Sequence, residues 1–133
     1  MADIGDAERE ILVGGNLGHF TTLRKDGSPH ATPVWVDLDD EGHVLINTAE
    51  GRAKLGHVRR DPRVAVSVAS RESDFRTVWV TGHVVEVTTD GALDHIHAMA
   101  KRYLGQDRYP FLQEGEERVL IHIEPDRVDS WIM

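Results

Sequence analysis

The sequence of 133 residues contains no cysteine. This absence excludes thiolate nucleophiles, cysteine-ligated zinc, iron–sulfur clusters and disulfide scaffolds. There is no apolar run long enough to cross a membrane, and the first residues, MADIGDAEREILVGG, lack the basic and apolar regions of a secretory signal. We therefore expect no membrane partner and a cytoplasmic location.

The sequence also lacks an excess of positive charge. Its 15 Lys and Arg residues are outnumbered by 23 Asp and Glu residues, which gives a formal net charge of −8. A surface of this sign disfavours the wrapping of a nucleic-acid backbone, so we expect no nucleic-acid partner. No internal repeat or low-complexity linker is visible, and the length predicts a single domain over residues 1–133.

The common catalytic and cofactor motifs are missing as well. There is no Walker A sequence, no G-x-S-x-G elbow and no H-E-x-x-H, and the glycines of residues 14–18 precede a predicted strand where a dinucleotide fingerprint would open a helix. Among the eight histidines, His95 and His97 point about 200° apart on a predicted helix. We expect structural or surface histidines, solvated acidic turns at residues 37–41 and 114–117, and no metal site.

The elements that are present predict a mainly β protein. The predicted strands are residues 17–24, 29–39, 43–48, 63–70, 77–89, 118–124 and 127–132, the first three in meander order. The predicted helices are residues 4–13, 53–60 and 91–105. We expect Asp3 or Asp6 to cap the first helix and Gly82 to mark a bulge. Because the helices are too few to connect parallel strands, six or seven strands favour a closed antiparallel barrel.

The segment from Thr48 to Lys54 combines features that favour a phosphate group. A strand end, Gly51, a helix N-terminus with free N–H groups and two basic side chains, Arg52 and Lys54, follow one another directly. The stretch from Arg52 to Arg63 holds five basic residues and one acidic residue. A solvated basic helix is the alternative interpretation of these features.

Two long motifs carry a resemblance to a known family. They read T-L-R-x-D-G-x-P-H-x-T-P-V-W over residues 22–35 and G-R-A-K-x-x-x-x-R-R-D-P-R-V over residues 51–64, and the chain ends with R-V-D-S-W over residues 127–131. The sequence resembles the flavin/deazaflavin oxidoreductase family, which has the split β-barrel of pyridoxamine 5′-phosphate oxidases, and within it the short members that use coenzyme F420. The resemblance implies an antiparallel split barrel of the FMN-binding type.

The resemblance also implies where the cofactor would bind. It implies a homodimer, with each cofactor in a groove between the two barrels. Arg52 and Lys54 would hold the cofactor phosphate, and Thr48 would close the phosphate pocket. The residues implied to line the cofactor ring are Thr32, Pro33, Val34 and Trp35. The residues implied to approach from the other chain are Val78, Trp79 and Val80. Arg71, Arg76 and Arg118 lie outside the motif and are expected not to contribute.

The implied function is that of an F420-dependent reductase, which transfers a hydride from the reduced deazaflavin to an unsaturated or conjugated small molecule. This chemistry belongs to the cofactor, which agrees with the lack of a recognisable catalytic residue in the sequence. Two alternatives are an FMN-binding split-barrel oxidoreductase and a carrier that binds F420 or flavin without turnover. Vitamin B6 oxidation is not expected, because the arginine-containing final segment of the longer oxidases has no counterpart here.

Overall fold

The computed structural model describes residues 1–133 as seven strands and three helices. The strands are β1 (Gly18–Leu23), β2 (Pro29–Val34), β3 (Asp37–Leu38), β4 (Val44–Ala49), β5 (Arg63–Ala69), β6 (Arg76–Thr88) and β7 (Arg118–Ile132). The helices are α1 (Asp6–Leu12), α2 (Ala53–Arg60) and α3 (Ala92–Leu104). None of the helices is long and apolar enough to span a membrane.

All strands pair antiparallel in one sheet with the order β2-β1-β5-β6-β7-β4-β3. The two longest strands, β6 and β7, pair along most of their length, and each also pairs with a second strand, β5 for β6 and β4 for β7. The sheet therefore curls into a split half-barrel, which confirms the mainly β, antiparallel fold expected from the sequence.

The interior of the barrel is filled by side chains that alternate along the strands. On β5 the valines at positions 64, 66 and 68 are buried, while the residues between them are more exposed. On the neighbouring β6, Val78 and Val80 are 0% and 1% exposed. Phe20 of β1, Ile121 of β7 and apolar residues of α1 and α2 belong to the same cluster. This period of two is what places alternate residues of each strand on opposite faces of the sheet.

A bend at the crossing of β6 and β7 shapes the barrel. The pairing register shifts between Thr81 and Gly82, which confirms the bulge predicted at Gly82. A Cβ atom at Gly82 would overlap the carbonyl oxygen of Glu124, so only glycine fits this close approach. Its partner in the pairing is Pro125, which has no N–H to donate to the sheet.

That pairing explains one wrong prediction. The sequence predicted a break between residues 124 and 127, but β7 runs through Pro125 without interruption. A proline is tolerated in a sheet at a bulge, because no ladder hydrogen bond from its nitrogen is needed there.

The meander prediction was also wrong. The stretch 29–39 does not form one strand: β2 ends at Val34 and β3 begins at Asp37, and these two strands lie at opposite ends of the sheet order. At the break the N–H of Val36 donates to the Tyr103 hydroxyl at 2.9 Å, so a side chain of α3 replaces the missing strand partner. The alternating pattern of residues 29–39 contains no signal for this tertiary contact.

The predicted cap of α1 was wrong in a smaller way. The N-cap residue is Gly5, so Asp3 lies outside the helix and Asp6 is its first residue. The carboxylate of Glu8, a residue in the first turn of the helix, accepts a hydrogen bond from the Gly5 N–H at 3.1 Å and so fixes where the helix begins.

Candidate functional site

A groove of about 300 Å³ lies between β2, β4, α3 and the loop that precedes β7. Six of the ten predicted site residues line it, namely Pro33, Val34, Trp35, Thr48, Arg52 and Lys54. The groove has a cationic end and an aromatic end. The two sequence motifs therefore meet in one place, although β2 and β4 lie far apart in the sheet order.

The cationic end is built around the N-terminus of α2. Gly51, with a φ of +91°, makes the left-handed turn that connects the end of β4 to the helix. Arg52 is the N-cap and makes no capping hydrogen bond with its side chain. The first N–H groups of a helix have no partner within the helix, so this end offers hydrogen-bond donors and a positive dipole beside the two basic side chains.

Positive charge at this end exceeds negative charge. Burial, then the positive charges of Arg52 and Arg118, lower the pKa of Lys54 from its usual value. Lys54 forms no ion pair, whereas Arg52 and Arg118 share one carboxylate, that of Glu116, at 4.0 and 3.3 Å. Three cations with one countercharge constitute a site whose electrostatics favour an anion.

The aromatic end is a wall of packed rings. The Trp35 ring stacks on that of Tyr103 with centroids 5.0 Å apart and an angle of 11° between the planes. Tyr109 meets Trp35 edge to face at 5.8 Å, and Phe111 meets Tyr109 in the same way at 5.6 Å. Trp35, Tyr109 and Phe111 line the groove, so a flat apolar ring system would find matching surfaces here.

A chain of hydrogen bonds through Asp37, His95 and Asn47 orients the Arg118 side chain. His95 Nε2 lies 3.0 Å from Asp37 Oδ2, and since a carboxylate only accepts, His95 carries its proton on Nε2. His95 Nδ1 then accepts from Asn47 Nδ2 at 3.1 Å, which turns Asn47 Oδ1 towards Arg118 Nε at 3.0 Å. Burial alone would raise the pKa of Asp37, but hydrogen bonds from His95 and Arg102 hold that pKa below its usual value.

Four of the ten predicted residues lie outside the groove. Thr32 is adjacent on β2, and its buried hydroxyl has no hydrogen-bond partner. Val78 and Val80 point into the barrel interior, so their side chains do not reach any groove. Trp79, between them, is 43% exposed on the outer face. The structure thus separates the predicted segment 78–80 into two core residues and one surface residue.

Comparison with known proteins identifies the family. A family model described as "Pyridoxamine 5'-phosphate oxidase" matches residues 4–132. The chain belongs to this family. The pyridoxamine 5′-phosphate oxidase family comprises split barrels that bind flavins or deazaflavins, and it includes oxidoreductases.

Solved structures show the same fold. A structure named "F420 Reductase" superimposes with a TM-score of 0.81 at 23% identity and covers 95% of this chain and 98% of that chain. A conserved hypothetical protein from Mycobacterium tuberculosis gives a TM-score of 0.74 at 23% identity, over 98% of this chain and 86% of that one. General Stress Protein 26 from Bacillus anthracis gives 0.66 at 24% identity, over 91% and 88%.

The groove fits the cofactor class of the pyridoxamine 5′-phosphate oxidase family. Such cofactors carry a phosphate and a tricyclic ring, and the groove offers an uncompensated cation, Lys54, at one end and flat aromatic surfaces at the other. The Arg52 side chain is 59% exposed and lies 4.0 Å from the Glu116 carboxylate, so its guanidinium is accessible to a phosphate.

Sequence reasoning missed half of the groove. The lining residues that it did not predict are Leu17, Asn47, Ile96, Tyr109, Phe111 and Arg118. Arg118 was expected not to contribute, because it lies outside the motif. The pairing of β7 with β4 brings it beside Asn47. The sequence did show that Arg118 is a basic residue at the start of a predicted strand. It did not show which other strand lies beside that strand.

Proposed function

We propose that this member of the pyridoxamine 5′-phosphate oxidase family binds coenzyme F420 in the groove and acts as an F420-dependent reductase of an unsaturated or conjugated small molecule. The observation that carries the proposal is the cationic cluster of Arg52, Lys54 and Arg118 at one end of an aromatic groove. The likeness of the fold to an F420 reductase and the G-R-A-K segment favour the deazaflavin over FMN.

The proposed roles follow from the charges and shapes of the side chains. Arg52 donates two hydrogen bonds to phosphate oxygens through its planar guanidinium, and Lys54 adds a point charge. Thr48 closes the phosphate end, while Pro33, Val34 and Trp35 support one edge of the ring. When bound, the cofactor supplies hydride transfer. The protein orients the reactants and excludes water, and no carboxylate or histidine lines the groove.

We further propose that the protein works as a homodimer in which the outer face of β6 completes the site of the partner. Because Val78 and Val80 are turned inwards, Trp79 is the side chain of this segment that could reach a partner's cofactor. Thr32 keeps a supporting role on β2, where it directly precedes the lining residues Pro33 and Val34 in the chain and its buried hydroxyl has no hydrogen-bond partner.

The test is binding of F420 and FMN to purified cofactor-free protein, measured by fluorescence at fixed ionic strength. We expect tighter binding of F420 than of FMN and, when reduced F420 is supplied together with a conjugated acceptor, a rise in the fluorescence of oxidised F420 as hydride passes to the acceptor. Protein that retains stoichiometric FMN through purification would favour the FMN oxidoreductase. Tight F420 binding without turnover of any acceptor would favour a carrier.

A further inference from the structure

Two histidines and an aspartate converge away from the groove, where the β3–β4 hairpin meets β7. Asp39 follows β3, His43 precedes β4, and His122 lies on β7. Leu45 pairs with His122, and His43 is two residues before Leu45, so the two histidines are diagonal neighbours on one face of the sheet. Asp39 lies across the turn from His43, to whose carbonyl oxygen its N–H donates at 3.0 Å.

The side chains approach each other at metal-ligand spacing. Asp39 Oδ2 lies 3.5 Å from His43 Nδ1 and 3.8 Å from His122 Nδ1, and all three atoms lie within 4.8 Å of one another. Both oxygen–nitrogen distances are too long for hydrogen bonds. They are close to the roughly 3.3 Å that separates neighbouring ligands of a tetrahedral ion with bond lengths of about 2.0–2.1 Å.

The aspartate is held so that one oxygen faces the histidines. Its other oxygen, Oδ1, accepts hydrogen bonds from the N–H groups of Glu41 and His43 at 2.9 and 2.8 Å. Outer-shell hydrogen bonds of this kind orient a carboxylate that ligates a metal ion directly. The three side chains are 18–24% exposed, so they are restrained by packing and still accessible from solvent.

We propose that Asp39 Oδ2, His43 Nδ1 and His122 Nδ1 form a binding site for a divalent transition-metal ion, with Zn²⁺ as the best match to two imidazoles and one carboxylate. Water would take the fourth position. The ion would tie the hairpin of β3, a strand of only two residues, to the long strand β7.

A second trio shows by contrast what an ordinary ion-pair cluster looks like. His83 lies 3.0 Å from Asp126 Oδ2 through Nδ1 and 3.5 Å from Glu124 Oε2 through Nε2, so its two nitrogens face opposite carboxylates. The ligand atoms of this trio also lie within 4.8 Å of one another, but its three side chains are 33–55% exposed, it offers a single imidazole, and that imidazole already hydrogen-bonds Asp126. His83 is therefore a matched control for the proposed site.

The test is calorimetric titration of untagged, chelator-treated protein with ZnCl₂. We expect one ion per chain, and at least about tenfold weaker affinity in His43→Ala, His122→Ala and Asp39→Asn, with no change in His83→Ala. Asp39→Asn retains an oxygen for the two backbone N–H groups, so it keeps the turn while removing the charged ligand. Zn²⁺ should also raise the melting temperature of the parent by about 3 °C or more at saturation, and not that of the variants.

Three results would overturn the proposal: no saturable binding by the parent, unchanged affinity in the two histidine variants, or an equal loss in His83→Ala. The site is independent of the groove. Binding of F420 or FMN should be the same with chelator and in His122→Ala, so failure of the metal site would leave the proposed function untouched.

Discussion

Among single residues, Arg52 has the clearest expected effect on binding. Arg52→Ala removes a forked donor from the cationic end, where charge-assisted hydrogen bonds are worth roughly 1.5–3 kcal/mol each. Because the side chain is largely exposed, we expect the lower part of that range and a loss of cofactor affinity of about ten- to a hundredfold. Fluorescence titration at constant ionic strength measures it. Arg71→Ala, outside the groove, is the control, and equal losses in both variants would contradict a specific phosphate site.

Lys54 should show a conflict between stability and binding. Its folded-state pKa is lowered by burial and by Arg52 and Arg118, so the folded protein binds the proton less well than the unfolded chain. Stability should therefore rise with pH between the lowered value and the ordinary value of about 10.4. Lys54→Met should melt roughly 2 °C or more higher at neutral pH and yet bind cofactor more weakly. Scanning calorimetry measures the melting temperature and fluorescence titration measures the cofactor affinity of the same preparation. A melting temperature of Lys54→Met below that of the parent would contradict the prediction.

At the level of elements, α3 is held to the short strand β3 by one ion pair and one hydrogen bond to Asp37. Asp37 lies 2.8 Å from Arg102 and 3.0 Å from His95, with its side chain 14% exposed. Asp37→Asn leaves the Arg102 cation short of a partner, and we expect a loss of about 2–3 kcal/mol in urea unfolding, below the 3–5 kcal/mol of a fully buried pair.

The same residue sets an acid dependence. Since the folded-state pKa of Asp37 is lowered, its contribution is complete above the unfolded value of about 3.9 and is lost as the pH falls through the folded value. Asp37→Asn should therefore lose less stability than the parent between pH 5 and pH 2. If the free energy of unfolding fell equally steeply with pH in the parent and in Asp37→Asn, the role given to Asp37 would be contradicted.

The elements also show what the sequence could and could not predict. The valines of β5 and β6 identify strands by composition, and Gly82 predicted the bulge correctly. The roles of Val78 and Val80 required the phase of the alternation, which residue types alone do not give when both faces carry apolar side chains. The break after Val34 depends on Tyr103, a residue distant in sequence. The groove residues in or beside the two motifs, such as Trp35 and Arg52, were predictable from the sequence. The places of Arg118 and Asn47 in the groove were not, because they depend on the pairing of β4 with β7.

For the whole molecule, the exposed aromatic residues predict association. Trp79 pairs with Asp129 and Thr77 with Trp131, so the two tryptophans are diagonal neighbours on the outward face, and Phe75 packs against Trp131 at 5.5 Å. We expect a dimer of the 14.9 kDa chain in light scattering at micromolar concentration. Trp79→Lys should yield monomers by placing a charge on this face.

Leu93→Lys is the matched control for Trp79→Lys, because Leu93 is similarly exposed but lies on α3. We expect it to remain dimeric. A monomeric parent protein, or dissociation in the Leu93 variant alone, would contradict this choice of surface and the shared site that we propose.

The groove has one wall from β2, at the first edge of the sheet, and another from β4, next to the last edge. A ligand bound there would contact both walls and link the two ends of the sheet. The two walls lie side by side only in the folded half-barrel, so bound ligand would slow the opening of the molecule as a whole. Amide protons of β5, a strand with no residue in the groove, should then exchange with deuterium more slowly in its presence.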